Sequence, residues 1–369
     1  MNKAKIGDVC DILDSQRIPI TAHERVKGIY PYYGANGVQD YVNDYIFDDE
    51  LVLVAEDGGY FGSKTKPIAY RVSGKCWVNN HAHVLKPKLG LDVDYLGYSL
   101  MFCDVSKIVS GATRLKLTQS ALRKIEIPLP LLAEQKRIAA TLDKMSSVIA
   151  KRKRQIALLD EAAKSLFVEM FGDPVENPMG WVVKQINSFS TVKIGPFGSA
   201  LHQHDYIVGG HPLINPKHIS NGTIYPDLEI TVDDEKYHIL DAYALSRGDV
   251  IVGRRGDIGR CAVVNEDGYI CGTGSLFIRI LDSCNSIYLK SVIEHPKMRK
   301  RLEDSSVGVT MKNLNAKIVS SFNIPLPPLD LQNLFAARIE ALEAQRASCE
   351  RGLKQMETAF AAMMQEYFG

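Results

Sequence analysis

Arg254 and Arg255 stand just before a glycine, in the stretch "GDVIVGRRGDIG" (Gly248–Gly259). Arginine can fork onto guanine O6 and N7 or clamp a phosphate, and glycine, lacking Cβ, lets a backbone approach closely. The same pairing of donors with glycines recurs along the chain. "KIGPFGSALH" (Lys193–His202) carries Lys193 and Ser199, Lys217-His218 follow shortly after, and Thr273 and Ser275 flank Gly274. Earlier, "FGSKTK" (Phe61–Lys66) offers Lys64 and Lys66, and "WVNNHAH" (Trp77–His83) offers Asn79, Asn80, His81 and His83. Asparagine can pair bidentately with adenine. Tyr32 and Tyr33 in "GIYPYYGANG", with Tyr60, have rings to stack and hydroxyls for phosphate. Singly, each residue fits a turn, a cap or a core equally well. As a set they fall on loops that follow strands, where function concentrates.

Other chemistries lack their residues. No GxGxxG follows a strand, and there is no GxxxxGK[ST] phosphate loop. "INPKH" (Ile214–His218) has the wrong third and fourth residues for an amino-methyltransferase motif. The pairs His81/His83 and His202/His204 have no cysteine or carboxylate set beside them that would complete a zinc site. Pro226-Asp227 followed by Asp234-Glu235-Lys236 loosely fits a nuclease pattern, but the gap is very short and the surroundings read as an exposed acidic turn. No metal site is expected.

The elements that hold these loops follow from an internal repeat. "IPLPLLAEQKRI" (Ile127–Ile138) returns as "IPLPPLDLQNLF" (Ile324–Phe335). In this register Gly111 meets Gly308, Thr113 meets Thr310, Leu117 meets Leu314, Gln135 meets Gln332, and Phe171-Gly172 meet Phe368-Gly369. Internal repeats govern the fold and are sought first. In each copy a rigid Pro-x-Pro stretch leads into a long proline-free segment. Apolar residues recur there at 4-3 spacing, through Ile138, Leu142, Ile149 and Ile156 in the first copy and Phe335, Ile339, Leu353 and Phe360 in the second. Both series skip one seam position, at Arg152 and Arg346. A sustained heptad predicts two helices wound on each other. At about 1.5 Å per residue, Ala133–Met170 makes a rod of roughly 57 Å. The competing reading packs each helix on its own globule. "KRKR" (Lys151–Arg154) reads as a solvated helix face, or else as a stripe facing phosphate or a partner.

The segments between the helices, Met1–Val109 and Asp173–Val307, are rich in Val, Ile and Tyr punctuated by Gly, Asn and Asp, which predicts short strands and turns. "LVLVAEDGG" (Leu51–Gly59) and Gly248–Gly259 read as buried strands running into glycine loops. The expected fold is α+β: two α/β globules with curved sheets, separated by two long helices in an antiparallel coiled coil, with a pseudo-two-fold internal repeat. Residues 1–109 and 173–307 form the globules, and 110–172 and 308–369 the repeated helical regions.

Totals agree with this plan. The chain has 369 residues, 46% hydrophobic and 24% charged, enough for two or three domains of ordinary composition. No apolar run reaches the ~18 residues of a membrane span, and "MNKAKIGDVCDILDSQ" lacks the apolar core of a signal peptide. The seven cysteines are scattered without a CxxC, which suits reduced thiols in a cytoplasm. A net charge of +1 is not the basic footprint of an autonomous nucleic-acid binder. Any such function rests on local patches or on charge brought by partners.

Two unlike globules, each followed by "G-T…L…IPLP…Q" and a long helix ending in Phe-Gly, resemble the specificity subunit (HsdS) of type I restriction–modification systems. The resemblance spans the chain and is closest at Ile127–Gln135 and Ile324–Gln332. Leu331 departs from it, standing where Glu134 in the first copy follows the family. Gly34, Ala55–Gly58 and Arg254–Gly259 look like elements shared by the family's target-recognition domains. The resemblance implies a non-catalytic reader of double-stranded DNA that binds one half of a split target per globule. It also implies docking of two methyltransferase subunits (HsdM) on the two repeats, through regions that include Gln135 and Gln332, and a motor–nuclease subunit (HsdR) for cleavage. No cofactor is expected in this chain, with S-adenosylmethionine, ATP and Mg held by partners. No membrane is implied. A structural protein whose coiled coil bridges protein-binding globules without DNA is the alternative.

Overall fold

A computed structural model of the chain describes residues 2–111, 113–197, 200–306 and 313–369. They form two compact units, one built from residues 1–154 together with 351–369 and the other from residues 155–350.

In the first unit, β1 (Lys3–Lys5) and β2 (Cys10–Ile12) precede β3 (Lys27–Gly34), β4 (Gly37–Val42), β5 (Phe47–Ala55), β6 (Ala69–Val78) and β7 (Ala82–Pro87). A six-stranded sheet runs β2-β7-β5-β6-β3-β4. β5 lies inside it and is covered on both faces, which is why "LVLVA" reads as a continuous apolar run instead of an alternation. Val52 and Val54 enter one core with Leu85 and Leu96, while Leu51 and Leu53 enter another with Phe47, Cys76 and Val84. Helix α1 (Val93–Met101) begins at Asp92, whose carboxylate accepts the backbone N–H of Asp94 and Tyr95. β8 (Glu126–Pro128) pairs antiparallel with β1 and leads into helix α2 (Leu132–Phe171).

The second unit repeats parts of this plan. β9 (Val183–Gln185), β10 (Ser190–Ile194) and β11 (His211–Ile214) are followed by β12 (Thr231–Val232), β13 (Val250–Gly253), β14 (Cys261–Val263), β15 (Ile270–Cys271) and β16 (Ser275–Ile280). One sheet runs β10-β16-β13-β14 and a smaller one β12-β11-β15. β13 is wholly buried, as its sequence predicts. Helix α3 (Ser286–Glu294) is capped by Asn285. β17 (Asn323–Pro325) pairs antiparallel with β9 and leads into helix α4 (Leu329–Phe368).

The two long helices have 40 residues each, close to the predicted spans. α2 stops where Gly172 adopts φ +74° and returns its N–H to Val168 O. A Cβ there would lie 2.6 Å from Pro178, so only glycine fits this cap. Each helix begins in one core and ends in the other. Ile138 and Leu142 of α2 join the first unit's core, whereas Phe167 and Phe171 join the second's. Phe335 and Ile339 of α4 lie in the second core, and Met364, Phe360 and Phe368 in or against the first. The reading in which a helix packs only on the globule it follows therefore holds for its first turns alone. Within the first unit Lys153 pairs with Glu357 at 2.8 Å, and within the second Asp160 pairs with Arg346 at 2.7 Å. In each unit the paired helical segments run in opposite directions.

Candidate nucleic-acid interface

The loop after β6 brings together several of the residues singled out in the first unit, with unequal prospects. His83 lies at the centre of a buried ion network. Its Nδ1 is 2.6 Å from Asp14 Oδ2 and its Nε2 is 2.7 Å from Leu117 O. Arg17 reaches Glu56 Oε2 at 2.6 Å and Lys116 reaches Oε1 at 2.8 Å. Burial alone would raise the Asp14 carboxyl, but hydrogen bonds and charge from His83 outweigh it and hold it below its ordinary value. Glu56 is lowered in the same way, by Lys116 and Arg17 against burial. Asp14, Glu56 and His83 are ligand-type groups within 4.8 Å of one another, yet their atoms are engaged by protein partners. The network fixes the loop ahead of β8 to the sheet, and His83 presents nothing outward.

Asn79 is also committed. Its amide donates to Gln39 Oε1 at 3.1 Å and its oxygen accepts His81 N–H at 2.8 Å, so neither end is free for adenine. Asn80 stands exposed and His81 is half-buried, its Nδ1 2.9 Å from Asp57 Oδ1. Tyr32 is buried and its hydroxyl lies 3.3 Å from both Ile20 N and Ile20 O, so it cannot stack on a base. Tyr33 is half-buried against Tyr70, and burial raises its phenol. Lys64 and Lys66 are exposed, with the Lys66 ammonium over the Tyr60 ring.

In the second unit, Arg254 turns inward. Its Nε donates to Leu314 O at 3.0 Å and its Nη1 to Thr273 O at 3.1 Å. Burial, with Arg255 beside it, lowers its basicity. Arg255 remains half-exposed. Ser275 is fully buried within β16, and the Thr273 hydroxyl is spent on Pro196 O. His218 is buried and its Nδ1 accepts Asn215 N–H, while Lys217 and Lys193 are exposed. Burial, aided by Lys217, depresses the His218 imidazole. Ser199 lies outside the described residues. The nuclease-like residues do not converge: Asp227 faces Lys217 and His218, Asp234 faces His211, and Lys236 faces Asp205.

Residues predicted for partners and spacing include two buried glutamines with fully satisfied amides. Gln135 and Gln332 are fully buried. Gln135 Oε1 accepts Asp92 N–H at 2.9 Å, and its Nε2 donates to Gly90 O at 3.0 Å and Pro130 O at 2.9 Å. Gln332 does the same with Asn285 N, Ser283 O and Pro327 O at 2.9, 3.3 and 2.7 Å. Tyr95 donates to Pro128 O and Tyr288 to Pro325 O, at 3.0 and 2.8 Å. The Phe368 ring lies 5.2 Å from Tyr95, and that of Phe171 lies 4.8 Å from Tyr288. Ile138, Leu142, Phe335 and Ile339 are buried, whereas Ile149, Ile156, Leu353 and Phe360 are half-buried on the helical seams.

Comparison with known proteins decides what these paired features belong to. The family described as "Type I restriction modification DNA specificity domain" matches residues 1–160 and 178–357. The chain belongs to the type I restriction–modification DNA specificity family. It is 27% identical to a type I restriction enzyme specificity subunit of Haemophilus influenzae, over 94% of this chain and 89% of that one. It is 20% identical to the MjaVIII specificity subunit of Methanocaldococcus jannaschii, over 92% and 85%. The fold matches the crystal structure of the S subunit from M. genitalium with TM-score 0.67 and 13% identity, covering 100% of this chain and 96% of that one. These relatives are named as specificity subunits of type I restriction enzymes or as the S subunit of a type I restriction–modification system. Among the described residues, no helix is long and apolar enough to cross a membrane.

Within this family member, three residues beside the Asn80 loop escape a sequence reading: Arg25, Gln39 and Arg114. Arg25 sits in "TAHERVKG", which has no strand–glycine signature. Arg114 belongs to the repeated phrase, opposite Met311, and that loss of charge between copies is the signal that marks it.

Proposed function

We propose that this chain reads a bipartite DNA target, one half per globule, and docks two methyltransferase subunits without itself catalysing. The target-recognition regions are residues 1–109 and 173–307, and the repeats with their helices are 110–172 and 308–369. In this reading α2 and α4 form an antiparallel coiled coil that sets the gap between half-sites, and the repeat has pseudo-two-fold symmetry. A motor–nuclease subunit joins for cleavage, and S-adenosylmethionine, ATP and Mg reside in the partners.

One observation carries the reading: the same latch is made twice. Gln135 with Tyr95 and Phe368, and Gln332 with Tyr288 and Phe171, meet the same kinds of partner. Exposed leucines stand near each latch in sequence, Leu89, Leu131 and Leu132 in one unit and Leu281, Leu329 and Leu334 in the other. A surface written twice suits two copies of one partner, as symmetric assemblies require. The unlike loops between the latches suit two unlike half-sites. The near-neutral chain then relies on its partners for phosphate neutralisation, so it binds DNA weakly alone and tightly in the complex. Co-purification with the methyltransferase subunit, followed by mass measurement and a DNA-binding titration, tests this. Two methyltransferases per chain and a large gain in DNA affinity are expected. A one-to-one complex, or nanomolar specific binding by the isolated chain at physiological salt, counts against it.

A further inference from the structure

The first unit holds a polar cleft of about 440 Å³ bordered by Arg25, Tyr32, Gln39, Asn80, His81 and Arg114. The Arg25 guanidinium lies over the Tyr32 ring, 4.3 Å from its centroid. That ring is 1% exposed and tied to Ile20 at both backbone atoms, so it is a fixed platform. The ion partner of Arg25, Asp40, stands 3.5 Å away and is itself partly exposed, and Arg25 Nε has no hydrogen-bond partner. A stacked, largely desolvated cation with donors unspent is costly unless a ligand completes it. Across the cleft Arg114 is well exposed, held through Nη2 by Asp57, which also steadies His81.

We infer that this cleft is where the first globule reads its half of the target, with Arg25 forking onto a guanine edge and Arg114 holding a phosphate at the rim. The inference rests on the proposal that the globule reads DNA, and it names the residues that do so. Base readout needs a planar donor pair in a fixed register, which the Tyr32 platform gives Arg25. Phosphate contact needs only an exposed cation at the rim, and Arg114, though paired with Asp57, is exposed there. The neighbouring candidates are already spent: Asn79 on Gln39 and His81, and His83 within the ion network.

The test uses the complex of this chain with its methyltransferase subunit, once methylome sequencing has given the wild-type target. Arg25→Lys and Arg25→Ala are expected to weaken binding and methylation of that target by about 10- to 100-fold. They should relax one guanine position in one half-site and leave the other half intact. Arg25→Lys keeps the charge, and a melting curve confirms that it folds. Arg114→Ala is expected to weaken all sequences alike and to lower the slope of log K against log salt by about 1. If the wild-type complex is sequence-specific while both Arg25 variants keep its preference at every position, the assignment to this cleft is wrong and the DNA-reader proposal stands. Equal relaxation of both halves also overturns the assignment. If the wild-type complex shows no sequence preference, the reader proposal itself falls.

Discussion

Arg346 holds Asp160 at 2.7 Å across the helical pair of the second unit, from a seam position where the heptad calls for an apolar side chain. Arg346 is about four-fifths buried and Asp160 about half, so the pair is neither a surface decoration nor a core bridge. Arg346→Ala is expected to cost about 1 kcal/mol in urea unfolding, because it loses both the ion pair and the stem's packing. Arg346→Leu, which restores the stripe, is expected to match or exceed the wild type. A loss of several kcal/mol in the leucine variant would show that the charge itself specifies the pairing.

The buried glutamines give a sharper expectation. Gln135→Ala leaves Asp92 N, Gly90 O and Pro130 O without their partner, and Gln332→Ala does the equivalent in the second unit. Each is expected to cost about 3 kcal/mol, given ~1–3 kcal/mol per unsatisfied buried group. Chemical denaturation of each variant, followed unit by unit, checks this, and a change under 1 kcal/mol contradicts the latch.

Tyr95→Phe and Tyr288→Phe remove one hydroxyl each and leave the ring contacts with Phe368 and Phe171 in place. About 1 kcal/mol is expected per variant, with equal losses in the two units. Unequal losses, read by the same denaturation series, would argue that the two latches differ in strength.

Acid should open the units at different pH. His218 and His295 of the second unit are held below 6.5, chiefly by burial. A depressed histidine is folded in its neutral form, so its contribution is complete above pH ~6.5 and fades as the pH falls. Asp14 and Glu56 of the first unit sit below 3.8 and 4.5. A depressed carboxylate contributes fully above its ordinary value and is lost only as the pH falls through the lower folded one. Trp77 lies in the first unit and Trp181 in the second, each with its indole N–H bonded to a backbone carbonyl. Fluorescence of the two single-tryptophan variants should therefore show the second unit loosening first. A single shared transition would contradict this.

How much of this was legible beforehand varies with the kind of signal. The repeat and the two long helices follow from spacing, and the buried strands at Leu51–Ala55 and Val250–Gly253 follow from continuous apolar runs. Tyr32, His83, Arg254 and Ser275, singled out as candidates for DNA contact, are buried. A polar side chain that is satisfied internally has the same letter as one awaiting a ligand, and only its partners tell them apart. The glutamines gave a usable hint, since both copies keep the same amide at the same offset. That Phe171 and Phe368 finish cores other than those their helices start from has no local signature, because a heptad specifies a partner surface but not which globule lies at its end.

The division of the first core between residues 1–154 and 351–369 has a consequence for synthesis on the ribosome. Phe360, Met363, Met364 and Phe368 emerge after all the other buried residues of the first core, yet they seal hydrophobic surface translated long before them. The leading globule must wait, with its apolar side open, while the trailing one is already supplied with every residue of its own core. A nascent chain extruded from the ribosome only as far as Glu350 would thus present every core residue of the second unit but an incomplete core in the first.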